Sequence, residues 1–311
     1  MEIKKVILTG ATGPLGMALV EHLLGLGVSV TVVARPSSPR NADLVSLNKI
    51  KLVECDLSGL SSLSGKLGRD YDVFFHLGWN TASLDIINDP LIQSRNIGYT
   101  LDAVRLAHNL GCGVFVGAGS QAEYGLSSVP FTPDSIEKPF SSYGIAKCAA
   151  GKLSLKLCDS LKMRHCWGRV LSVYGPFDRE TTAIMYCIHS LLRGESPLLT
   201  ASDQIWDFIY SADCARAFYL IARQGKHGVS YPVGSGKARM LKEYFEEIRG
   251  CVDPSICLGF GKKPYAENQV MFLSSDNTVL EKDTGFKPEY SFGQGIKKTV
   301  EWVNNRISSP R

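Results

Sequence analysis

The stretch Ile3-Lys4-Lys5-Val6-Ile7-Leu8-Thr9-Gly10-Ala11-Thr12-Gly13-Pro14-Leu15-Gly16 decides the fold. A strand-like apolar run ends at Thr9, and glycines at 10, 13 and 16 then give the spacing G-x-x-G-x-x-G. Three backbone demands meet here: a sharp turn, room for a pyrophosphate against the main chain, and a helix packed closely on a strand. A helix over 14–26 would aim its free N–H groups and positive dipole end at that phosphate. A glycine triplet alone is weak evidence. The second strand, over 28–34, completes a βαβ unit and supplies the context that the motif requires. Gly10, Thr12, Gly13, Pro14, Leu15 and Gly16 are therefore expected to hold a dinucleotide.

Outward from this unit, strand-like runs recur at 50–55, 72–77, 113–118 and 165–171, with helical patterns near 96–110 and 142–162. Val73-Phe74-Phe75-His76-Leu77 is apolar on both faces, as in a parallel strand covered by helices on each side. The alternation predicts an α/β fold: a Rossmann-type doubly wound parallel sheet. After Tyr174-Gly175-Pro176 the segments shorten and Gly and Pro become frequent. The expected organisation is a dinucleotide-binding domain over 1–175, with returns near 205–224 and 270–276. Residues 176–311 form mainly a smaller C-terminal substrate-binding lobe.

The bulk numbers narrow the class. A length of 311 residues suits one large core with an appended lobe. A net charge of +4, with no Lys/Arg cluster interleaved with aromatics, argues against a nucleic-acid partner. No apolar run approaches the roughly 18 residues of a membrane span. Nine scattered cysteines without a C-x-x-C pair read as reduced thiols, and no H-x-x-x-H pair is present, so no metal site is expected. The first strand follows Met1 almost at once, which leaves no room for a signal peptide. The expectation is a soluble cytoplasmic protein.

Chemistry concentrates in Ser142-Tyr143-Gly144-Ile145-Ala146-Lys147. Tyr143 and Lys147, four apart at a helix start, share a face. A nearby ammonium and an oxidised nicotinamide would pull the phenol down from its usual value of about 10. Such a Tyr gives or takes a hydroxyl proton while hydride moves. The pair recurs by chance in chains of this composition, so its weight comes from its neighbours. Ser120, in Gly117-Ala118-Gly119-Ser120-Gln121, follows a strand at the carboxyl edge where ligands of open α/β sheets bind. Its hydroxyl would bond the reacting oxygen and share the proton with Tyr143.

Taken together these residues resemble the extended short-chain dehydrogenases/reductases, the NAD(P)-dependent epimerase/dehydratase group that acts largely on nucleotide sugars. The resemblance covers nearly the whole chain. It implies catalytic roles for Ser120, Tyr143 and Lys147, and places Tyr143 and Lys147 beside the cofactor as well. Asp56 and Leu57 match an acidic segment near adenine. His76-Leu77-Gly78-Trp79 resembles the H-L-A segment, so Leu77 and Gly78 are expected at the cofactor, with His76 a structural neighbour. Asn96-x-Gly98-x-Thr100 approximates N-x-x-G-T. Arg169 through Pro176 matches R-x-x-x-V-Y-G-P, and Asp207-Phe208-Ile209-Tyr210 matches R-D-F-I-Y without its Arg. Thr284 to Pro288 and Gly295 to Trp302 resemble C-terminal signatures. The resemblance further implies a homodimer through a four-helix bundle built from 96–110 and 142–162.

Departures from the pattern bear on substrate. Family dehydratases carry an Asp-Glu pair after the catalytic Ser/Thr; here those positions hold Gln121 and Ala122, which disfavours a 4,6-dehydratase. Glu123, one residue on, is expected to face away. Trp206 replaces an Arg that contacts substrate phosphate in many members, and Ser172 replaces a substrate-contacting Asn. Gln121, Ser172 and Trp206 are thus the expected substrate-side residues. At the end of the second strand stands Arg35, with Ser37 and Arg40 near it, where NAD-preferring proteins place an acid. That favours NADP over NAD and tilts the reading toward a 4-ketoreductase rather than an epimerase. Two alternatives stand beside it: an NADPH-dependent reductase of a non-sugar carbonyl, and a non-catalytic NAD(P)-binding regulatory protein, whose usual mark is loss of the Tyr or Lys.

Overall fold

The first strand, β1 (Lys5–Thr9), lies in the interior of a seven-stranded sheet in which every neighbouring pair is parallel. The computed structural model describes residues 1–80 and 87–308. From β1 the chain passes through α1 (Pro14–Gly25) to β2 (Ser29–Ala34), then α2 (Asn41–Val45) and β3 (Ile50–Glu54). It then crosses to the other side of β1 for β4 (Val73–His76), α3 (Pro90–Asn109), β5 (Val114–Ser120), α4 (Ser142–Leu161) and β6 (Arg164–Val170). The order is β10-β6-β5-β4-β1-β2-β3. The direction of winding reverses between β1 and β4, and at such a switch point the carboxyl ends of the strands leave a crevice for a ligand.

Strand residues alternate between two cores. Val6, Leu8, Val32, Phe75 and Val116 pack with α1 on one face; Ile7, Val33, Phe74 and Phe115 pack with α3 on the other. That two-sided burial is why these strands read as continuous apolar runs. α3 begins earlier than its periodicity suggests: Asp89 caps it, accepting from Leu91 N at 2.8 Å and Ile92 N at 3.1 Å, and Pro90 opens the first turn.

After β7 (Ser172–Tyr174) the chain forms α5 (Ala183–Leu192), β8 (Ile205–Trp206), β9 (Phe208–Tyr210) and α6 (Ser211–Gln224). β10 (Ser230–Val233), β11 (Arg239–Met240), α7 (Leu241–Val252), α8 (Thr278–Thr284) and α9 (Phe292–Ser308) follow. α6 returns to the sheet and packs in the α1 core, whereas α5, α7 and α9 enclose a third core with Tyr174 and Tyr210. β7 pairs with β9, and β8 pairs with β11. One return differs from the expectation. The 270–276 run adds no strand to the main sheet and makes isolated bridges, Phe272 to Ile205 and Ser275 to Phe131. The late strand that joins the sheet is β10, whose Pro232 is tolerated because β10 lies at the sheet edge.

Asp207 ties these parts together. Its fully buried carboxylate accepts from Ser235 N and Oγ, Gly236 N, and Ser275 N and Oγ at 2.5–3.2 Å. Among the described residues no helix is long and apolar enough to cross a membrane.

Candidate active site

At the switch point lies a cleft of about 950 Å3, at the upper end of the roughly 300–1,000 Å3 usual for ligand sites. Gly10, Thr12, Gly13 and Pro14 from the β1–α1 loop line it, with Arg35 after β2, Asp56 and Leu57 after β3, and Leu77 and Gly78 after β4. Gly10 has φ +77, and a Cβ there would lie 2.5 Å from the Gly78 backbone N, so the two loops touch. A Cβ at Gly16 would run into the Gly10 carbonyl; this glycine packs the helix on the loop behind the cleft. Gly13 differs, since a Cβ there would meet nothing within 4 Å. It caps α1 with no side-chain hydrogen bond, leaving the first-turn N–H groups open toward the cleft. These residues fit the pyrophosphate of a dinucleotide. Leu15, expected at the cofactor, is 8% exposed and belongs to the core beneath the loop.

Arg35 is exposed at the cleft wall. Arg40 also lines the cleft, but its Nη1 donates to the carbonyls of Thr12 at 3.1 Å and Phe177 at 3.3 Å. Ser38, not Ser37, faces the cleft; Ser37 takes the left-handed turn position, φ 54.

Ser120, Tyr143 and Lys147 come together where β5 ends and α4 begins. Ser120 caps a short 3-10 turn over Gln121–Glu123, its hydroxyl accepting from Ala122 N at 3.2 Å. The same hydroxyl acts on the Tyr143 phenol, favouring its ionised form. Lys147, 4% exposed, donates from Nζ to the Ala118 carbonyl at 2.7 Å and lies 6.0 Å from the Tyr143 ring centroid. Burial lowers the Lys147 amine to about 7, and Glu123 opposes that. Burial acts on the phenol as well. It pushes Tyr143 up to about 12, helped by Glu123, while the Ser120 hydroxyl and Arg179 pull it down. Desolvation of a phenolate outweighs its stabilising neighbours here, so Tyr143 is a protonated phenol at neutral pH.

Glu123 stands in the 3-10 turn rather than on extended backbone, and its carboxylate turns back to accept from the Ser120 backbone N–H at 2.8 Å. It is fully buried, accepts from Arg169 Nε at 2.7 Å, and is bonded by Trp167 Nε1 at 3.1 Å. His76 is likewise structural, 2% exposed and bonded to Thr9 Oγ1 at 2.9 Å. On the substrate side, Gln121 is half-buried in the turn beside Ser120. Trp206 Nε1 donates to Ser172 Oγ at 2.8 Å, so the two departures from the resembled pattern are partners of one another. Neither lines the dinucleotide cleft. Sequence reasoning assigned no role to Trp79, Tyr99 or Arg179, which do line it. Trp79 was the last residue of a quoted segment, His76-Leu77-Gly78-Trp79, and Arg179 follows the Tyr174-Gly175-Pro176 turn; neither had a signal of its own.

Residues 6–234 match the model of the NAD dependent epimerase/dehydratase family. The chain belongs to that family. As a member of the epimerase/dehydratase family it is an enzyme of an NAD(P)-dependent group, in accord with the resemblance read from its motifs. It is 28% identical to the CDP-abequose synthase of Salmonella typhimurium, over 95% of this chain and 97% of that one. It is 26% identical to the UDP-glucose 4-epimerase of Mycolicibacterium smegmatis, over 97% and 99%. In fold it is similar to a UDP-N-acetylglucosamine 4-epimerase from Methanobrevibacter ruminantium, with TM-score 0.88, 24% identity, and coverage of 98% and 100%.

Proposed function

We propose that the protein is an NADPH-dependent 4-ketoreductase of a nucleotide-activated sugar, with Ser120, Tyr143 and Lys147 as its catalytic group. One observation carries the reading: the Tyr143 phenol, beside the buried Lys147 amine, packs against Trp79 at the wall of a cleft that fits a dinucleotide. The dinucleotide supplies hydride when bound, while the chain supplies the proton and the geometry. Tyr143 holds the proton on its phenol oxygen and gives it to a sugar carbonyl oxygen as negative charge develops there. Ser120 donates to the same oxygen and fixes its position. Lys147 stabilises the phenolate that remains, and holds the nicotinamide ribose. A phenol kept protonated suits reduction.

Arg35 supports NADP(H), since a guanidinium at the end of β2 attracts a 2′-phosphate that an acidic residue would repel. Relatives named for CDP- and UDP-linked sugars support the substrate class. Gln121 and Ala122 supply no carboxylate for dehydration, and Glu123 is committed to Arg169. Gln121, Ser172 and Trp206 form the proposed sugar-side wall, and Asp56, Leu57, Leu77 and Gly78 the cofactor wall. Exposed apolar residues on α3 and α4, Leu91, Ile145 and Leu153, support a homodimer through those helices.

The test is titration with NADPH and NADH, followed by turnover of nucleotide 4-keto sugars. NADPH is expected to bind at least about tenfold more tightly, with Arg35→Glu reversing the order. Tyr143→Phe is expected to lower kcat by about 10² or more at unchanged cofactor affinity. Copurification of tightly held NAD, with no gain from NADPH, would favour an epimerase.

A further inference from the structure

Beside this group stands Trp79, three residues beyond β4 and half-buried at the cleft wall. Its indole centroid lies 3.8 Å from Lys147 Nζ. The ring meets Tyr143 edge-on, at 90° and 6.1 Å between centroids. Its Nε1 donates to Gln93 Oε1 at 2.9 Å, and Gln93, on α3, is only 1% exposed. The indole is thus pinned from behind by a buried amide and touches both members of the Tyr–Lys pair. Among the described residues, the hydrogen bond made by Lys147 is the one to Ala118. An ammonium out of water with a single carbonyl acceptor needs further compensation. The negative face of an indole provides it.

We propose that Trp79 is a positioning residue for the reaction, its π face capping the Lys147 ammonium and holding that charge against the Ala118 carbonyl beside Tyr143. The inference rests on the reading of Tyr143 and Lys147 as the proton-handling pair. The charged and titratable groups facing Lys147 come from three elements. Glu123, on the turn after β5, favours the ammonium. His76, at the end of β4, is pushed down to about 3 by burial and by Lys147, so it stays neutral at working pH. Tyr143 shares α4, with Arg179 beyond it. Burial draws Lys147 down to about 7, and Glu123 and the indole face are what oppose that loss of charge.

A cofactor-free measurement tests this directly. The protein contains four tryptophans, so 5-fluorotryptophan labelling gives four 19F resonances, and Trp79→Phe assigns the one that matters. That resonance is expected to titrate in one step near neutral pH, and Lys147→Met is expected to abolish the step. A resonance that stays flat from about pH 5.5 to 9.5, or a step that survives Lys147→Met, overturns the inference. Turnover supplies the second readout. Trp79→Leu is expected to lower kcat about tenfold with little change in KM, and to move the alkaline limb of the kcat profile down by roughly half to one pH unit. Trp79→Phe keeps a ring and is expected to recover part of both. Equal losses in the two variants, with an unmoved profile, overturn the inference. A fully active Tyr143→Phe enzyme would instead sink the reading of the reaction, while the 19F step still decides whether Trp79 caps Lys147.

Discussion

Every oxygen of the Glu123 carboxylate is committed. Arg169 Nε donates to it at 2.7 Å, Trp167 Nε1 at 3.1 and 3.2 Å, and the Ser120 backbone N–H at 2.8 Å. Glu137 also pairs with Arg169 and reaches out to Lys152 and the Cys148 thiol. One buried carboxylate therefore neutralises a buried guanidinium and fixes the turn that presents the Ser120 hydroxyl. Replacing it by an amide keeps the shape and removes the charge. Glu123→Gln is expected to destabilise the fold by about 3 kcal/mol, because Arg169 stays buried with less compensation. Urea unfolding measures this; a loss below about 1 kcal/mol would mean that Glu137 alone suffices. Sequence reasoning placed Glu123 away from the reacting atoms but had no means of seeing Arg169, 46 residues distant, as its partner.

At the scale of elements, the β1–α1 turn was the most legible part of the chain, and its glycines separate two effects. Gly10 sits at φ +77 against the Gly78 backbone, whereas Gly13 has φ −94 and ψ 176, open to any residue, with empty space where a Cβ would go. Gly10→Ala is expected to cost more than about 2 kcal/mol, from left-handed strain plus the backbone clash. Gly13→Ala should change stability by less than about 1 kcal/mol yet weaken dinucleotide binding at least about tenfold, since the new methyl enters the space the pyrophosphate would occupy. Thermal unfolding and cofactor titration on both variants check the contrast. The same logic marks where sequence reading stopped. Local spacing carries a turn, a cap or a helical face, and so β1 to β6 were readable. β10 is four residues long and holds a proline, so neither periodicity nor propensity announced it. Trp79 over Lys147 depends on where the β4 loop and α4 meet, 68 residues apart, a placement that no local pattern contains.

Across the whole molecule, aromatic rings run through β4, β5 and β6 on the α3/α4 side of the sheet, and two of them are imidazoles. His76 lies 6.0 Å from Phe115, Phe115 stacks on His165 at 6.0 Å, and His165 stacks on Trp167 at 5.9 Å. Burial lowers His76 to about 3 and His165 to about 4. In the unfolded chain both bind a proton below about 6.5, while in the folded chain they stay neutral well below that. Protons therefore favour the unfolded state, and stability falls as pH drops from 6.5 toward 4, by about 1.4 kcal/mol per unit for each ring. His22, also lowered by burial, acts in the same sense. Glu137, held down at about 2, loses its contribution only below the ordinary carboxylate range, and the raised Glu21 and Asp178 act in the opposite sense. Between about pH 6.5 and 5 the histidines lower stability as pH falls, and the raised Glu21 and Asp178 offset part of that slope. Urea midpoints across that interval should fall with pH in the wild-type chain. His165→Phe keeps a ring between Phe115 and Trp167, gives up the 2.9 Å bond to Ser154, and should reduce the slope by about 1.4 kcal/mol per pH unit. A variant that keeps the full wild-type slope would place the acid sensitivity outside this aromatic row.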